Sequence, residues 1–224
     1  MLRGPSKHSE GGVNLVSWNV RGMNSPLKRG KVYAHIRTLK ADICFLQETH
    51  IKKTAAKVLC PPWASHVFQS NFSTKARGVA ILIKKNTPFV HMQTISDDRG
   101  RYLLVKGELN SVPVTLINIY GPNFDDPIFF QNLFNTISNM SNTNIILGGD
   151  FNCVLDPVLD RQHSQINTSR SSIALNNLIQ SYNLVDIWRP IFHLYPNLDV
   201  ILTWSLHIVL SPCYLSKRKF LGKS

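Results

Sequence analysis

Polar side chains follow four apolar runs of the sequence, each at the point where a strand is expected to end. Asn19 follows "LVSW", Glu48 follows "CFLQ", and Tyr120 follows "LINI". Asp150 and Asn152 follow "IILGG". In layered α/β folds the ends of buried strands hold functional groups in fixed positions, so groups from several strands can meet. The repeated pattern therefore predicts a site built from strand ends.

The residue types at these positions can hold a metal ion or a phosphate group. Glu48 is a hard oxygen donor that suits Mg²⁺, which binds through one or two carboxylates and keeps waters and substrate phosphate as its other ligands. Asp150 can accept a proton from an attacking water, and Asn152 can orient that water or the phosphate. Tyr120 offers a hydroxyl to a phosphate oxygen. The Asn19 amide can face a metal or a neighbouring carboxylate.

Each of these positions also has a purely structural interpretation. Asp150 and Asn152 after two glycines are typical of a turn. Glu48 can cap a following helix, and Tyr120 before Gly121 is an ordinary strand-to-turn residue. Taken singly, the structural interpretation is favoured at every position. The recurrence at four strand ends favours a site, although it does not name a reaction.

Strand and helix patterns interleave along the chain. The strand-like runs are "VNLVSWNV", "DICFLQ", "GVAILIKK", "RYLLVKGEL", "VPVTLINIYGP" and "NIILGGD". Helices are predicted to begin at Ser25-Pro26, at Asp126-Pro127 and at Ser171-Ser172, where a capping residue precedes apolar residues at helical spacing. Because several adjacent strands have short links, we expect mixed α/β layers with sheet packed on sheet. No G-x-G-x-x-G or Walker pattern indicates a nucleotide-binding fold.

Composition and charge narrow the class of protein. The 224 residues are 43% hydrophobic, which fits one domain with one sizeable core. Lys and Arg outnumber Asp and Glu by 25 to 13, for a net charge of +12. This surplus indicates a polyanionic partner, nucleic acid before an acidic membrane surface, with a generally basic soluble protein as the plain alternative.

The compartment is predicted from cysteines and from hydropathy. The four cysteines form no CxxC pair, which argues against a zinc site or a disulfide framework and favours a reducing interior. No apolar run approaches the ~20 residues of a membrane span. Residues 1–12 are polar without an apolar core, so we expect a flexible tail and no secretion signal. A nuclear or cytoplasmic protein without a membrane segment is expected.

Five segments, in their order along the chain, resemble one protein family. They are "SWNVRGMNSPLKRGKV", "ADICFLQETH", "GRYLLVKGEL", "LINIYGPN" and "IILGGDFNCVLDPVLDR". The resemblance is to the endonuclease/exonuclease/phosphatase family, within it to the apurinic-type endonuclease domain of non-long-terminal-repeat (LINE-type) retrotransposons. It implies a four-layer α/β sandwich like that of deoxyribonuclease I, over residues 13–205, followed by a divergent tail at 206–224.

The resemblance also assigns roles at the metal. It implies that Glu48 binds the divalent cation, Mg²⁺ or Mn²⁺, with Asn19 beside it. Asp150 would activate or position the attacking water, and Asn152 would orient that water. The implied reaction is metal-assisted hydrolysis of a DNA phosphodiester, in which the cation and hydrogen-bond donors stabilise the charge that develops on the phosphate.

The resemblance also implies that three residues contact the substrate. Tyr120 and Asn123 would contact the phosphate, and Thr203 would place a hydroxyl near the substrate backbone. The implied partner is DNA, nicked to prime reverse transcription, with a reverse transcriptase domain in the ancestral polyprotein. Surface cations that could add phosphate contacts are Lys28, Arg29, Lys31, Lys75, Arg77, Lys84 and Lys85.

The family pattern breaks after Thr203. The family continues to Ser-Arg-Ile-Asp and then to Ser-Asp-His, whereas this sequence reads "LHIVLSPCYLSKRKFLGKS". We therefore expect truncated or altered C-terminal strands and poor or absent nicking, and we interpret His207 as a strand histidine and not as a catalytic substitute. A repair-type apurinic/apyrimidinic endonuclease or exonuclease III-like enzyme and a non-catalytic nucleic-acid-binding remnant remain alternatives. The sequence does not address oligomeric state.

Overall fold

Two β-sheets with helices on their outer faces make up the part of the chain that the computed structural model describes, namely residues 13–140, 144–153, 169–186 and 206–210. The first sheet contains β1 (Leu15–Asn19), β2 (Ile43–Gln47), β3 (Ala64–Ser70) and β4 (Val79–Lys84), in the order β1-β2-β4-β3. β1 and β2 run parallel, and β4 is antiparallel to both of its neighbours. Every residue of β2 is buried, as a central strand covered on both faces requires.

Six strands of the described ranges form the second sheet. They are β5 (Phe89–Ser96), β6 (Tyr102–Leu109), β7 (Val112–Tyr120), β8 (Asn144–Asp150), β9 (Val185–Asp186) and β10 (Leu206–Leu210), in the order β5-β6-β7-β8-β10-β9. β7 and β8 are parallel, and the other pairs are antiparallel. β10 therefore covers the edge of β8 that β7 leaves open. It lies in the segment 206–224, for which the sequence predicts altered strands.

In the described residues, three helices connect or flank these strands. They are α1 (Pro26–Thr38), α2 (Pro127–Ser138) and α3 (Arg170–Ser181), with a short 3₁₀ segment at Lys53–Leu59. α1 joins the parallel pair β1 and β2, and α2 joins β7 and β8, because parallel neighbours need a crossover connection. In the described ranges, no helix has both the length and the apolar character needed to cross a membrane.

The helices begin where capping side chains accept backbone hydrogen bonds. Ser25 and Asp126 cap α1 and α2, each followed by proline, as the sequence predicts. Ser169 caps α3, with its Oγ accepting from the Ser172 N–H at 3.1 Å. The predicted cap at Ser171-Ser172 was wrong by two to three positions, since both serines are buried inside the first turn.

Three apolar clusters define four layers. Between the sheets, Phe45 and Ile81 of the first sheet pack with Leu116 and Ile146 of the second. On the outer face of the first sheet, α1 packs against β2 and β4 through Val32, Ile36, Leu46 and Leu82. On the outer face of the second sheet, α2 and α3 pack against β7 and β8 through Phe130, Leu133, Leu175, Ile117 and Leu147. The order helix, sheet, sheet, helix confirms the predicted four-layer α/β sandwich.

Among the described strands, β3, β5 and the two-residue β9 were not predicted, and the two longer ones show why. β3 reads "ASHVFQS", and β5 reads "FVHMQTIS" with most of its side chains exposed at the edge of its sheet. Neither run shows the continuous apolar character of a buried strand. Edge position explains why, because only one face and one side of such a strand are covered.

The two sheets are joined beneath one rim by buried hydrogen bonds. The Gln47 amide donates to Asn118 Oδ1 at 2.7 Å and to Ser17 Oγ at 3.1 Å. The Asn118 amide donates to the carbonyls of Leu46 at 3.0 Å and Ala80 at 2.8 Å. The same rim receives the carboxyl ends of the parallel pairs β1–β2 and β7–β8. Side chains at these four strand ends are therefore brought together.

Candidate active site

Asn19 joins the two carboxylates of the site. Its Nδ2 donates to Glu48 Oε1 at 2.9 Å and to Asp150 Oδ2 at 2.8 Å, while its Oδ1 accepts from the Arg21 N–H at 3.1 Å. The sequence allowed this amide to face either a metal or a neighbouring carboxylate. In the structure it donates to two carboxylates. The end of β1 is thereby connected to the ends of β2 and β8, which belong to different sheets.

Asp150 is held in a buried turn at the end of β8. It is 7% exposed, and its Oδ1 accepts from the Asn152 N–H at 3.2 Å. Asn152 has a left-handed backbone, with φ of 50°, and its amide donates to Gly121 O at 3.0 Å and to Asn123 Oδ1 at 3.2 Å. Gly149 precedes the turn with φ of +140°, and a Cβ there would collide with the Ile119 carbonyl. The predicted turn is present, and it fixes the position of the Asp150 carboxylate.

Burial controls the protonation of Asp150. Burial raises the pKa of this carboxyl above its usual value, and the negative charge of Glu48 adds to the effect. Hydrogen bonds from Asn19 and Asn152 act in the opposite direction, as does the positive charge of Arg21. The carboxylate is thus more basic than one in water.

Tyr120 lies between Glu48 and Asn123. Its hydroxyl is 3.4 Å from Asn123 Oδ1, and burial raises the pKa of the phenol, with further contributions from a hydrogen bond and the charge of Glu48. The phenol therefore stays a neutral hydrogen-bond donor at ordinary pH. Arg101 lies over the ring, with its guanidinium carbon 5.1 Å from the ring centroid, and donates to Gly121 O at 2.7 Å.

Backbone strain is concentrated around Glu48. Arg21, Glu48 and His50 have φ values of 47°, 53° and 56°, which non-glycine residues rarely adopt. Gly22 N–H donates to the Glu48 carbonyl at 2.6 Å, and His50 Nε2 lies 3.5 Å from Glu48 Oε2. Strained residues of this kind persist where the surrounding structure holds them, and they cluster at functional sites.

The sequence of the chain matches one protein family over most of its length. The family model described as the Endonuclease/Exonuclease/phosphatase family matches residues 16–203. The chain belongs to that family. The matched range begins in β1 and includes Thr203, so it contains all seven residues that the sequence assigned to the site of this endonuclease/exonuclease/phosphatase domain.

Individual relatives agree with the family assignment. The chain is 27% identical over 180 residues to the "Transposon TX1 uncharacterized 149 kDa protein" of Xenopus laevis, an alignment that covers 79% of this chain and 14% of that protein. It is 23% identical over 211 residues to an exodeoxyribonuclease of Bacillus subtilis (strain 168), covering 86% and 79% of the two chains. The AP endonuclease LMAP from Leishmania major superposes with a TM-score of 0.67 at 19% identity, covering 89% and 79%, which shows a shared fold.

The donor set of this family member fits a hard divalent cation. Glu48 and Asp150 supply two carboxylates on one amide bridge, and Mg²⁺ binds through one or two carboxylates while retaining water and phosphate oxygens. Within the described ranges, no group of three or more His, Cys, Asp or Glu side chains has the arrangement of a closed metal site. The two carboxylates fit Mg²⁺ and Mn²⁺ equally.

Two side chains that contact the site were not assigned from the sequence, and two positions that the sequence singled out lie at least partly outside the described residues. His50 and Arg101 contact the site but were not assigned, although "QETH" places His50 two positions from Glu48 and "GRYLL" places Arg101 at the start of β6. Thr203 lies outside the described residues. The side chain of His207 does too, although position 207 is in β10, opposite Gly149.

The predicted phosphate-binding cations are in several different environments. Lys28 donates to the Arg21 carbonyl at 2.7 Å, close to the site, and Arg29 donates to the carbonyls of Met23 and Asn24. Lys84 pairs with Asp42 at 3.2 Å, at the end of β4 away from the rim. Only part of the predicted set is therefore placed to contact a substrate at the site.

Proposed function

We propose that this chain is a divalent-cation-dependent DNA endonuclease domain of retrotransposon derivation, which hydrolyses a phosphodiester and nicks its target. The observation that carries the proposal is the Asn19 amide between Glu48 and Asp150, next to the Tyr120 phenol. Similarity to the Xenopus laevis transposon protein supports the derivation, and the +12 charge supports a polyanionic substrate. The chain spans 14% of the length of that transposon protein.

Each residue of the site is proposed to have a different role in the reaction. Glu48 would hold the cation, Mg²⁺ or Mn²⁺, which when bound supplies positive charge to the phosphate oxygens. A water attacks the phosphorus and gives its proton to Asp150, whose basicity is raised by burial. The bond from phosphorus to the 3′ oxygen breaks, and that oxygen takes a proton from solvent. Asn19 would hold the carboxylates of Glu48 and Asp150 in fixed positions, because its amide donates to both.

We propose that Tyr120 and Asn123 contact the phosphate, while Asn152 and Thr203 contact the water and the substrate backbone. The neutral Tyr120 phenol would donate to a phosphate oxygen in place of its present long contact with Asn123. Asn152 would orient the water from its left-handed turn, and Thr203 would contact the substrate backbone. Preorganised donors of this kind each contribute to stabilising charge on the phosphate in the transition state.

Substitution of Glu48 tests the proposal. Supercoiled plasmid is incubated with the purified chain and Mg²⁺, and nicked circles are counted for wild type, Glu48→Gln and the matched control Glu108→Gln at the far end of β6. We expect Glu48→Gln to lose roughly 100-fold or more in nicking rate, while the control keeps its rate. Nicking that survives Glu48→Gln, or that proceeds unchanged in EDTA, would overturn the proposal.

A readout independent of activity follows from cation binding. A cation that binds only the folded state raises the melting temperature as its concentration increases. Wild type and Glu108→Gln should gain thermal stability on addition of Mg²⁺ or Mn²⁺, and Glu48→Gln should gain much less. Equal gains in all three proteins would place the cation elsewhere.

Turnover is proposed to be slow. Residues 206–224 contain neither Ser-Arg-Ile-Asp nor Ser-Asp-His, and loss of members of a catalytic unit costs orders of magnitude in rate. A chimaera that carries both motifs in frame after residue 205 should nick faster than the 224-residue chain expressed alone. Robust nicking by the 224-residue chain alone would refute the impairment and leave the nuclease proposal standing.

A repair-type activity is the second candidate, because the chain resembles a bacterial exodeoxyribonuclease and shares its fold with an AP endonuclease. Preferential cleavage of a duplex that carries one abasic site, over the same duplex intact, would favour it. Salt-sensitive DNA binding with no cleavage in Mg²⁺ or Mn²⁺, unchanged in Glu48→Gln, would instead indicate a non-catalytic nucleic-acid-binding remnant.

A further inference from the structure

Three loops next to Tyr120 carry excess positive charge and an exposed aromatic ring. They are residues 49–53, 71–78 and 97–101, which we call the rim loops. Against two aspartates, Asp97 and Asp98, they hold six cationic side chains: Lys52, Lys53, Lys75, Arg77, Arg99 and Arg101. A surface with this charge attracts a polyanion.

Backbone hydrogen bonds connect the rim loops to one another and to the site. Gly78 O accepts from the Thr49 N–H at 3.0 Å, and Gly78 N–H donates to Gly100 O at 3.0 Å. Tyr120 N–H donates to Arg101 O at 2.7 Å. A ligand that contacts the rim loops is therefore held in a fixed relation to Tyr120.

Phe72 and Arg77 form an exposed aromatic-cation pair on these loops. Phe72 is 43% exposed, and the Arg77 guanidinium carbon lies 4.7 Å from its ring centroid. The Phe72 backbone forms a β-bridge with Lys52, and a Cβ at Gly100 would lie 2.9 Å from the Phe72 Cβ. The ring is thus presented to solvent from a tightly packed backbone, which reduces the entropy lost when a ligand contacts it.

The Arg77 guanidinium, unlike that of Arg101, is available to bind a ligand. Arg101 donates to the carbonyl of Gly121 at 2.7 Å and is half-buried over Tyr120. Among the residues that the structure describes, no carboxylate pairs with Arg77. Its fork of N–H donors can therefore face an incoming phosphate, which guanidinium groups bind in a bidentate manner.

We propose that Phe72 and Arg77 anchor the DNA strand beside the scissile phosphodiester, with Arg77 on a backbone phosphate and Phe72 stacked on the base of a nucleotide that has left the helical stack. This inference rests on the proposed function, since it takes the position of the scissile phosphate from Tyr120. Stacking on an aromatic ring is tolerant of sequence, because every base has a π-face. The base must be unstacked, because a ring on the protein surface cannot reach a face inside a regular duplex.

Binding measured without cleavage tests the anchor. Fluorescence anisotropy of the full chain in EDTA compares an intact labelled duplex with the same duplex carrying one unpaired adenine. Phe72→Ala should weaken binding of the bulged duplex about tenfold and of the intact duplex much less. Phe72→Trp should restore the preference, and Met92→Ala, which removes an exposed apolar side chain from β5, should change neither affinity.

The phosphate contact of Arg77 is tested separately, by the salt dependence of binding. Arg77→Ala should weaken binding of both duplexes alike and reduce the slope of log affinity against log salt by about 0.9, the value for one phosphate contact. Arg37→Ala, an exposed arginine in the last turn of α1, serves as its control and should leave the slope unchanged. Thermal melts establish that each variant is folded.

The outcomes separate this inference from the nuclease proposal. Equal affinity of wild type and Phe72→Ala for the bulged duplex, or an unchanged salt slope in Arg77→Ala, overturns the anchor even if the chain nicks DNA. The expected pattern without any cation-dependent nicking supports the anchor and overturns hydrolysis. Absence of DNA binding by wild type overturns both.

Discussion

Replacing Asn118 by alanine tests how strongly buried hydrogen bonds join the two sheets beneath the site. Asn118 is fully buried, and its amide takes part in three hydrogen bonds. It accepts from Gln47 Nε2 at 2.7 Å and donates to the carbonyls of Leu46 at 3.0 Å and Ala80 at 2.8 Å. Alanine removes all three, and the Gln47 amide then retains its bond to Ser17.

The expected loss follows from these contacts. Each buried hydrogen bond contributes about 1 kcal/mol net to the free energy of unfolding, so the three together give about 3 kcal/mol. For a domain of this size 1 kcal/mol corresponds to roughly 2–4 °C in melting temperature, so Asn118→Ala should melt about 10 °C lower. Ser17→Ala removes a single acceptor, and its melting temperature should fall by only about 3 °C.

Urea and thermal unfolding followed by far-UV circular dichroism measure both losses. The denaturant slope should be the same in all three proteins, because neither substitution changes the surface exposed on unfolding. Equal midpoints for Asn118→Ala and Ser17→Ala would refute the reasoning, since they would show that the bonds to Leu46 and Ala80 contribute nothing to joining the sheets.

Three further predictions concern backbone and charge. Gly149→Ala should prevent accumulation of folded protein, because its Cβ would collide with the Ile119 carbonyl at a φ that L-residues avoid; a soluble variant with wild-type circular dichroism would contradict this. Gly30→Ala, with no atom within 4 Å of the new Cβ, should instead stabilise α1 by about 0.5–1 kcal/mol, measured by urea unfolding. Hydrogen bonds from Ser171 and neighbouring donors at the start of α3 lower the pKa of Asp125 to about 2, so its stabilising effect is complete above the ordinary carboxyl pKa and is lost as pH falls toward 2. The difference in melting temperature between wild type and Asp125→Ala should therefore shrink between about pH 4 and pH 2, and a constant difference would count against this cause.

The fold and the carboxylates of the site were predictable because they depend on local patterns. Buried strands give apolar runs, and Glu48 and Asp150 stand at the ends of two of them. The sequence could not show that one Asn19 amide would contact both carboxylates, because that depends on how two sheets pack. Asn118 shows the same limit: it occupies a core position of β7 between Leu116 and Tyr120, and its three partners come from the other sheet.

The Asn19 hydrogen bond to Asp150 has a consequence for how the protein is made. The two residues are 131 positions apart, and β10, which covers the edge of β8, comes from residues 206–210. Contacts between distant parts of a chain form late, since the entropy of closing a long loop is lost before the contact is gained. During synthesis residues 13–84, which form the first sheet, leave the ribosome before the carboxylate of Asp150 does. Nascent chains are therefore without the assembled pair of carboxylates until the second sheet has formed.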